Sequence, residues 1–333
     1  MTFVAIYVAA FFSAFFTALF ALPQWRKWCL RTGLVDDPGH RKIHDEAMPL
    51  AGGLTVMTAL ALPTVLAMLI LWVRHRMTLE VPPLDTTTTP LLAYGIHKRS
   101  LELAAIFLGA IGMLLVGLWD DKNESRPAGK FFWQFAVAAL VAASGARITL
   151  FVPSTLFSYA VTILWMLTVI NAFNFMDNMN GLCGGLGAIG AFYFGLAAAT
   201  AAVPQYLVAL IAFLTCGALA GFLPNNFPRA RSFLGDSGSH LVGYLLAVLA
   251  ILPHFYTAGN RHTLAVLTPL LILAVPLGDM AWVVILRWRI GKPFYVGDTN
   301  HLSHRLVKLG LSRTRAVLVI WLLAIAFGAL AFA

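Results

Sequence analysis

The stretch LELAAIFLGAIGMLLVGLWDD, residues 101–121, runs from a long apolar segment directly into a pair of aspartates. Its apolar part has the length of roughly 20 residues that a helix needs to cross a bilayer. Adjacent carboxylates repel each other and are costly near lipid unless a cation neutralises them. The stretch therefore predicts a membrane-crossing helix with a functional end at Asp120 and Asp121. An ordinary helix end in water would also explain the pair taken alone.

The composition of the whole chain extends this interpretation. Of the 333 residues, 60% are hydrophobic and only 11% are charged, whereas a soluble domain carries about 25% charged residues. This excludes a soluble enzyme, a disordered chain and a disulfide-stapled secreted domain. The net charge of +9 requires no nucleic-acid partner, because basic residues hold the loops of a membrane protein in the cytoplasm. Cys29, Cys183 and Cys216 lie far apart in apolar stretches, so we interpret them as small apolar fillers.

Apolar runs bounded by charges, Pro or Gly predict about ten transmembrane helices in a single all-α domain, residues 1–333. The first run lacks a preceding basic residue and a small-residue cleavage site, so we expect a permanent helix and not a signal peptide. The predicted spans are residues 2–22, 50–72, 101–119, 131–148, 154–172, 183–201, 206–223, 238–253, 263–285 and 315–332.

The distribution of charge predicts the orientation of these helices. With the N-terminus outside, most of the 23 Lys and Arg residues fall in inner loops, so both termini should lie on the periplasmic side. Most of the 14 acidic residues fall on the same inner side, which the positive-inside rule does not explain. This clustering favours one hydrophilic site at the cytoplasmic face. The outer loop at residues 73–100 is the longest on its side, and its VPPLDTTTTP stretch, residues 81–90, is predicted to be an irregular, solvated connector.

A second polar segment, NAFNFMDNMNGLCGG, covers residues 171–185. Asn171, Asn174 and Asp177 recur every three residues, so a helix would align them along one stripe. Amide and carboxylate oxygens in such a stripe can bind a hard cation or the edge of a nucleobase. A simple turn between two helices is the alternative, but it does not explain three aligned polar residues.

Two further segments on the inner side contain polar residues with two interpretations each. In RSFLGDSGSHLVGY, residues 231–244, Asp236 precedes an apolar helix, where it either caps that helix or binds a metal. In the first inner loop, Arg41, Lys42 and His44 either bind phosphates or are ordinary positive-inside charges.

The last inner loop, within residues 276–312, contains His301, His304 and Arg305. The two histidines are three residues apart and can share one face of a helix. No Cys or third His accompanies them, so imidazole beside guanidinium suits a diphosphate better than zinc.

Together these segments are rich in carboxylates and poor in thiols, which selects Mg²⁺, or alternatively Mn²⁺, over softer metals. We expect Asp120, Asp121, Asp177 and Asp236 to meet around one divalent ion at the membrane surface. Phosphoryl transfer between a soluble nucleotide-linked donor and a lipid acceptor is the favoured chemistry. A secondary transporter is the alternative from another class, but its carboxylates should lie near the membrane midplane.

In this order, the segments VDDPGHRKIH, GLWDDKNE, NAFNFMDNMNGL, FLGDSGS, PLGD and DTNHLSHRL resemble the polyprenyl-phosphate N-acetylhexosamine-1-phosphate transferases of glycosyltransferase family 4. The bacterial undecaprenyl-phosphate GlcNAc-1-phosphate transferases are the more similar branch. The resemblance implies transfer of a sugar 1-phosphate, GlcNAc 1-phosphate above all, from a UDP-N-acetylhexosamine to undecaprenyl phosphate. UMP is released, magnesium is required, and the product enters cell-envelope polysaccharide synthesis. A phospho-MurNAc-pentapeptide transferase of peptidoglycan synthesis is the alternative within the family.

The resemblance also implies roles for individual residues. Asp120, Asp121 and Asp177 match catalytic positions, and Asp236 together with Asp177 matches the metal site. The implied substrate-binding residues are Arg41, Lys42, His44, Asn171, Asn174, Asn180, Phe233, His301, His304 and Arg305. Two positions depart from the family pattern, since Asn180 replaces a common aspartate and Ser303 replaces a common second histidine.

For the whole protein, the resemblance implies a multi-pass protein of the bacterial inner membrane, in contact with membrane lipid, with its active site facing the cytoplasm. Homodimerisation is left open by the sequence.

Overall fold

The computed structural model describes residues 3–37, 47–77, 88–123, 126–149, 152–253, 266–293 and 295–332. Within these ranges the chain is almost entirely helical, with a two-stranded antiparallel pairing of β1 (Val35–Asp36) and β2 (Met48–Pro49). The helices are α1 (Phe3–Thr32), α2 (Gly52–Met77), α3 (Thr88–Lys98), α4 (Ser100–Asn123), α5 (Pro127–Ser144), α6 (Thr155–Met176), α7 (Leu182–Thr200), α8 (Tyr206–Phe222), α9 (Gly235–Ile251), α10 (Thr268–Ile272), α11 (Ala274–Arg289), α12 (Leu302–Lys308) and α13 (Arg313–Leu330).

Seven of these helices are long and apolar enough to cross a membrane: α1, α2, α4, α6, α7, α8 and α13. The shorter α9 is also apolar, and α5, α10 and α11 occupy the other two predicted spans. The described part of every predicted span is thus largely helical, and the all-α, multi-pass membrane class is confirmed. The three cysteines are buried and unpaired, as expected of apolar fillers.

Helix α9 forms the centre of the bundle. It packs against α2, α4, α6 and α7, and nearly all of its residues are buried, as expected for a helix that is apolar on every side. The approach of α4 is close because Gly117 lies against α9. A Cβ atom on Gly117 would lie 2.2 Å from the Cα of Ser237. This contact brings the end of α4 beside the start of α9, where Asp236 lies.

Two features differ from the sequence prediction. Helix α3 begins at Thr88, within the predicted VPPLDTTTTP connector, and it contacts α8, where Gly95 faces Leu207. The predicted VPPLDTTTTP connector lies largely outside the described residues. The predicted span 263–285 is divided at Leu273 into α10 and α11. Pro276 lacks the N–H that would continue the helical hydrogen bonds to Ile272, which explains the break.

Candidate active site

A cavity of about 1350 Å³ opens at the end of the bundle where α1, α4 and α6 finish and α2, α5, α9 and α13 begin. Among the described residues, six aspartates contribute to its wall, whereas the basic residues there are Lys122, Lys130, Arg313 and His304. The described part of the wall therefore carries an excess of negative charge. The six aspartates are Asp36, Asp37, Asp120, Asp121, Asp177 and Asp236. All four aspartates expected at the metal site thus face one cavity.

Asp121 lies against the first turn of α9. Its Oδ1 accepts the backbone N–H of Asp236 at 2.7 Å, and its Oδ2 accepts that of Ser237 at 3.1 Å. The first N–H groups of a helix have no partner within the helix and carry partial positive charge. Asp121 therefore caps α9 from the neighbouring α4. Leu234, which precedes α9, provides no side-chain cap, so capping is the work of Asp121 and not of Asp236.

Asp120, the other member of the pair, forms an ion pair with Lys130 at the start of α5. The same ammonium group lies 2.9 Å from Asp236 Oδ2. The Asp120 side chain is only 4% exposed, and a buried carboxylate without a cationic partner would be strongly unfavourable. Lys130 thus provides the positive charge that holds Asp120 and Asp236 together across the cavity wall.

Asn171 and Asn174, the two amides of the predicted stripe on α6, make hydrogen bonds that stabilise the site around Asp236. Asn174 Nδ2 donates to Asp236 Oδ1 at 2.7 Å and to Ser239 Oγ at 3.0 Å. One turn earlier, Asn171 Nδ2 donates to Gln134 Oε1 of α5 at 2.8 Å. Neither asparagine lines the cavity. The predicted stripe is present and faces the protein interior, where it orients Asp236 and joins α6 to α5.

Asp177 follows the last residue of α6. Its burial, together with the nearby carboxylates of Asp236 and Asp121, raises the pKa of Asp177 to about 8. A cation beside these groups would favour the charged carboxylate instead. Among the described residues, no group of three or more His, Cys, Asp or Glu side chains is placed to surround a metal. Magnesium commonly uses only one or two carboxylates plus water and substrate phosphates, so Asp177 and Asp236 fit its donor requirements.

The first inner loop reaches the cavity through its described ends, at Asp36 and Met48. It is held there by the α8–α9 connection, because Ser232 Oγ donates to Pro49 O at 2.8 Å and Phe233 N donates to the same oxygen at 3.0 Å. The three predicted phosphate-binding residues of this loop, Arg41, Lys42 and His44, lie outside the described residues.

Three of the remaining predicted substrate-binding residues line the cavity, and two lie outside its wall. Asn180, Phe233 and His304 line the cavity. His301 is buried, with Nδ1 2.6 Å from Asp279 Oδ2, and Arg305 lies over the Trp282 ring at 4.8 Å; neither lines the cavity.

Sequence reasoning missed several cavity residues. Lys130 and Arg313 each stand near the start of an apolar helix, where a basic residue resembles an ordinary positive-inside charge. Asp36 and Asp37 are two adjacent aspartates beside a membrane span, the same sequence feature that pointed to Asp120 and Asp121. Asn178 follows the predicted Asp177 directly and also lines the cavity.

The fold and the site define a multi-pass membrane protein with one acidic cavity at an end of its helical bundle. Residues 103–254, which include Asp120, Asp121, Asp177 and Asp236, match the model of glycosyl transferase family 4. Relatives with similar sequences are also transferases by name. The chain is 32% identical over 336 residues to the decaprenyl-phosphate N-acetylglucosaminephosphotransferase of Mycolicibacterium smegmatis, a match that covers 93% of this chain and 78% of that protein.

Two other relatives carry undecaprenyl names. The probable undecaprenyl-phosphate N-acetylglucosaminyl 1-phosphate transferase of Bacillus subtilis is 28% identical over 313 residues, covering 92% of this chain and 78% of that protein. The undecaprenyl-phosphate alpha-N-acetylglucosaminyl 1-phosphate transferase of Escherichia coli K12 is 26% identical over 316 residues, covering 90% and 76%. The chain belongs to glycosyl transferase family 4.

Proposed function

We propose that this protein transfers N-acetylglucosamine 1-phosphate from UDP-N-acetylglucosamine to undecaprenyl phosphate and releases UMP. The observation that carries the proposal is the single cavity into which the aspartates of α4, α6 and α9 face, at the end of a bundle of membrane-crossing helices. A lipid phosphate and a water-soluble nucleotide-sugar can meet only where hydrocarbon gives way to water. The names of the relatives supply the sugar and the polyprenyl class of the acceptor.

The reaction exchanges one phosphoanhydride bond for another. An oxygen of the acceptor phosphate attacks the β-phosphorus of the UDP-sugar, and the bond between that phosphorus and the oxygen bridging to UMP breaks. The acceptor phosphate is already ionised at neutral pH, so no side chain has to remove a proton from it. Catalysis then depends on positioning the two phosphates and on compensating their charge.

Lys130 is suited to contact the donor diphosphate. Its ammonium group lies in the cavity between Asp120 and Asp236, and an ammonium group binds phosphate oxygens well. Asp120 holds Lys130 in place, and Asp121 fixes the start of α9, so the paired aspartates act on different neighbours. His304 and Asn180, which also line the cavity, are proposed to contact the diphosphate and the uracil respectively.

We also propose that the activity depends on Mg²⁺. The described wall of the cavity has six carboxylates and three Lys or Arg residues, and a diphosphate adds further negative charge. Asp177 and Asp236 are the residues that would hold the ion, and when bound it would offset the charge of the diphosphate and of departing UMP. Asp120 is less suited as a ligand, because its side chain is only 4% exposed, compared with 31% for Asp236. Asp121 is less suited because both of its carboxylate oxygens already accept N–H groups at the start of α9.

The cavity is proposed to face the cytoplasm of a bacterial inner membrane. The connections at that end of the bundle contain an excess of Lys and Arg, which supports this orientation. The proposed donor, a nucleotide-sugar, is a cytoplasmic compound, which requires the same orientation.

The proposal is tested with purified protein, radiolabelled UDP-N-acetylglucosamine and undecaprenyl phosphate, with Mg²⁺ or with EDTA. We expect a labelled lipid product and an equal amount of UMP, both only with Mg²⁺. UDP-MurNAc-pentapeptide is offered in parallel and should not be used. Lipid product from that donor alone would assign the protein to the peptidoglycan reaction instead, and no product from either donor would contradict a transferase.

The variant Asp236→Asn removes the proposed ligand while keeping the size of the side chain. We expect its Mg²⁺-dependent UMP release to fall by at least about 100-fold, since the charge that holds the ion is lost. Glu102→Gln is the matched control, because it removes a carboxylate from the first turn of α4, at the end distant from the cavity. Near-normal turnover by Asp236→Asn would remove Asp236 from the metal site.

A further inference from the structure

One face of α11 holds the segment that contains the two histidines. Asp279, Trp282 and Arg287 lie within one half of the helix circumference, given their spacing of three and five residues. All three bind residues of the following segment, as described below, and we call this set the α11 platform. None of the three lines the cavity.

Asp279 lies in the protein interior and is 6% exposed. Its Oδ2 lies 2.6 Å from His301 Nδ1, and its Oδ1 accepts the backbone N–H of Leu302 at 2.5 Å. An ionised carboxylate only accepts hydrogen bonds, so with Asp279 in that form His301 Nδ1 is the donor of this pair. Asp279 therefore fixes both the ring of His301 and the first N–H of α12.

The other two platform residues extend the same attachment. Arg305 of α12 lies over the Trp282 ring at 4.8 Å, and Arg287 Nε donates to Asp298 Oδ2 at 2.7 Å. Arg287 is 2% exposed and also lies over the ring of Phe175 on α6, at 4.9 Å. The segment from Asp298 to Arg305 is thus bound to α11 along its length.

The opposite side of α12 is joined to the turn that contains Asp177. Ser303 Oγ donates to Asn178 Oδ1 at 2.6 Å, and Asn178 Nδ2 donates to Phe175 O at 2.7 Å. His304, the next residue, is the part of α12 that lines the cavity. The position of His304 in the cavity wall is therefore set by two attachments, Asp279 on one side and Asn178 on the other.

We propose that Asp279 is a positioning residue for the nucleotide-sugar: by capping α12 and binding His301, it holds His304 in the cavity wall. The proposal rests on the proposed function, since His304 is the group through which Asp279 acts on the donor. A positioning error of about 1 Å at a binding group is enough to weaken its contact with a ligand substantially.

The first experiment separates positioning from general stability by measuring KM and kcat for UDP-N-acetylglucosamine. We expect Asp279→Asn to raise KM about tenfold while kcat changes less than about threefold, because a donor contact is displaced and the reacting groups are not. In a His304→Ala background, the same change should alter KM less than about twofold, since the affected contact is already absent. Equal losses in both backgrounds would overturn the proposal. Glu102→Gln serves as the control for loss of a carboxylate.

The second experiment reports on α12 without any need for activity. The native cysteines are buried, so a cysteine at position 304 can be labelled selectively with a water-soluble maleimide. Asp279→Asn should increase the labelling rate of His304→Cys at least about fivefold, because the start of α12 is released from α11. An unchanged rate would overturn the proposal. A faster rate in a protein without transferase activity would contradict only the proposed function. Ser303→Ala, which removes the bond to Asn178, should increase the rate in the same direction.

Discussion

Asp120 and Asp121 show how two identical neighbouring residues acquire different tasks. Consecutive residues of a helix project about 100° apart, so the two carboxylates at the end of α4 meet different partners. Asp120 meets the ammonium group of Lys130, and Asp121 meets the backbone N–H groups at the start of α9. A change at Asp121 should therefore alter the fold of the site, whereas a change at Asp120 should alter its charge.

Replacement of Asp121 tests the capping role directly. Asp121→Ala should destabilise the protein by about 1 kcal/mol, since two N–H groups of α9 lose their acceptor, and lower the unfolding temperature by about 2–4 °C. Asp121→Asn should be milder, because one amide oxygen still accepts a hydrogen bond. Thermal unfolding in detergent provides the measurement. Asp37→Ala, which removes an exposed carboxylate from the same cavity, is the control and should leave the temperature unchanged; an equal decrease there would contradict capping.

Lys130 is the residue whose loss should affect activity most directly. Lys130→Met keeps the aliphatic length but leaves Asp120 and Asp236 facing each other without the ammonium group between them. Repulsion between these carboxylates and loss of the phosphate contact should reduce sugar-phosphate transfer by about 100-fold. Lys130→Arg keeps the charge with a different shape and should retain more activity. Transfer by Lys130→Met within threefold of the unaltered protein would show that Lys130 is only structural.

At this scale the sequence predicted acidic residues better than basic ones. A carboxylate beside a membrane span is costly and therefore indicates a functional site. All four aspartates selected in this way face the cavity: Asp120, Asp121, Asp177 and Asp236. Lysine at the start of a span is common, so Lys130 had no distinguishing signal. Its partners are contributed by α4 and α9, far away in the chain, and no local pattern contains that information.

At the scale of elements, helices pack closely where a glycine leaves no side chain between them. Gly217 and Gly221 of α8 are four residues apart and face α1, where added Cβ atoms would lie 2.1 Å from Phe11 O and 2.2 Å from Phe15 O. Small residues at this spacing allow two membrane helices to approach until their backbones touch. The contact between α1 and α8 therefore depends on the absence of both side chains.

Gly217→Val should separate α1 from α8, because a side chain at position 217 would overlap the backbone oxygen of Phe11. We expect a loss of about 1–3 kcal/mol, as for other overpacked interiors, and less folded protein after detergent extraction. The measurement is the monodisperse fraction on size-exclusion chromatography together with the unfolding temperature. Gly129→Ala is the control, since a Cβ atom on Gly129 meets nothing within 4 Å. Equal behaviour of the two variants would contradict close packing at Gly217.

The elements themselves were predictable wherever length and apolarity decide the outcome. Spans such as α4 and α6 follow directly from the thickness of the bilayer. The shorter α3 and the break between α10 and α11 were missed, since α3 owes its formation in part to contact with α8, and the break to the one missing N–H of Pro276. The contacts of the α11 platform could not be predicted from the sequence either, because Asp279 and His301 meet only through the tertiary fold.

At the scale of the whole molecule, the cavity exists because successive helices run in opposite directions. Gly33 after α1 and Arg313 at the start of α13 both line it, so the other ends of these helices, at Phe3 and Leu330, lie at the far end of the bundle. Both ends of the chain should therefore be on the same side of the membrane, opposite the cavity. The positions of the helix ends are sufficient for this inference. It does not depend on the distribution of Lys and Arg, from which we propose that the cavity faces the cytoplasm.

Accessibility in bacterial spheroplasts tests both the arrangement of the helix ends and the orientation of the cavity. Epitope tags at the N- and C-termini should be digested by protease added outside spheroplasts, because the excess of Lys and Arg at the cavity end holds that end inside. A cysteine at Asn123, an exposed residue of the cavity rim, should be labelled by a membrane-impermeant maleimide only after permeabilisation. Tags on opposite sides would contradict the arrangement of helices. Tags together inside, with Asn123→Cys labelled from outside, would keep the fold and reverse its orientation, which would exclude a cytoplasmic nucleotide-sugar as the donor.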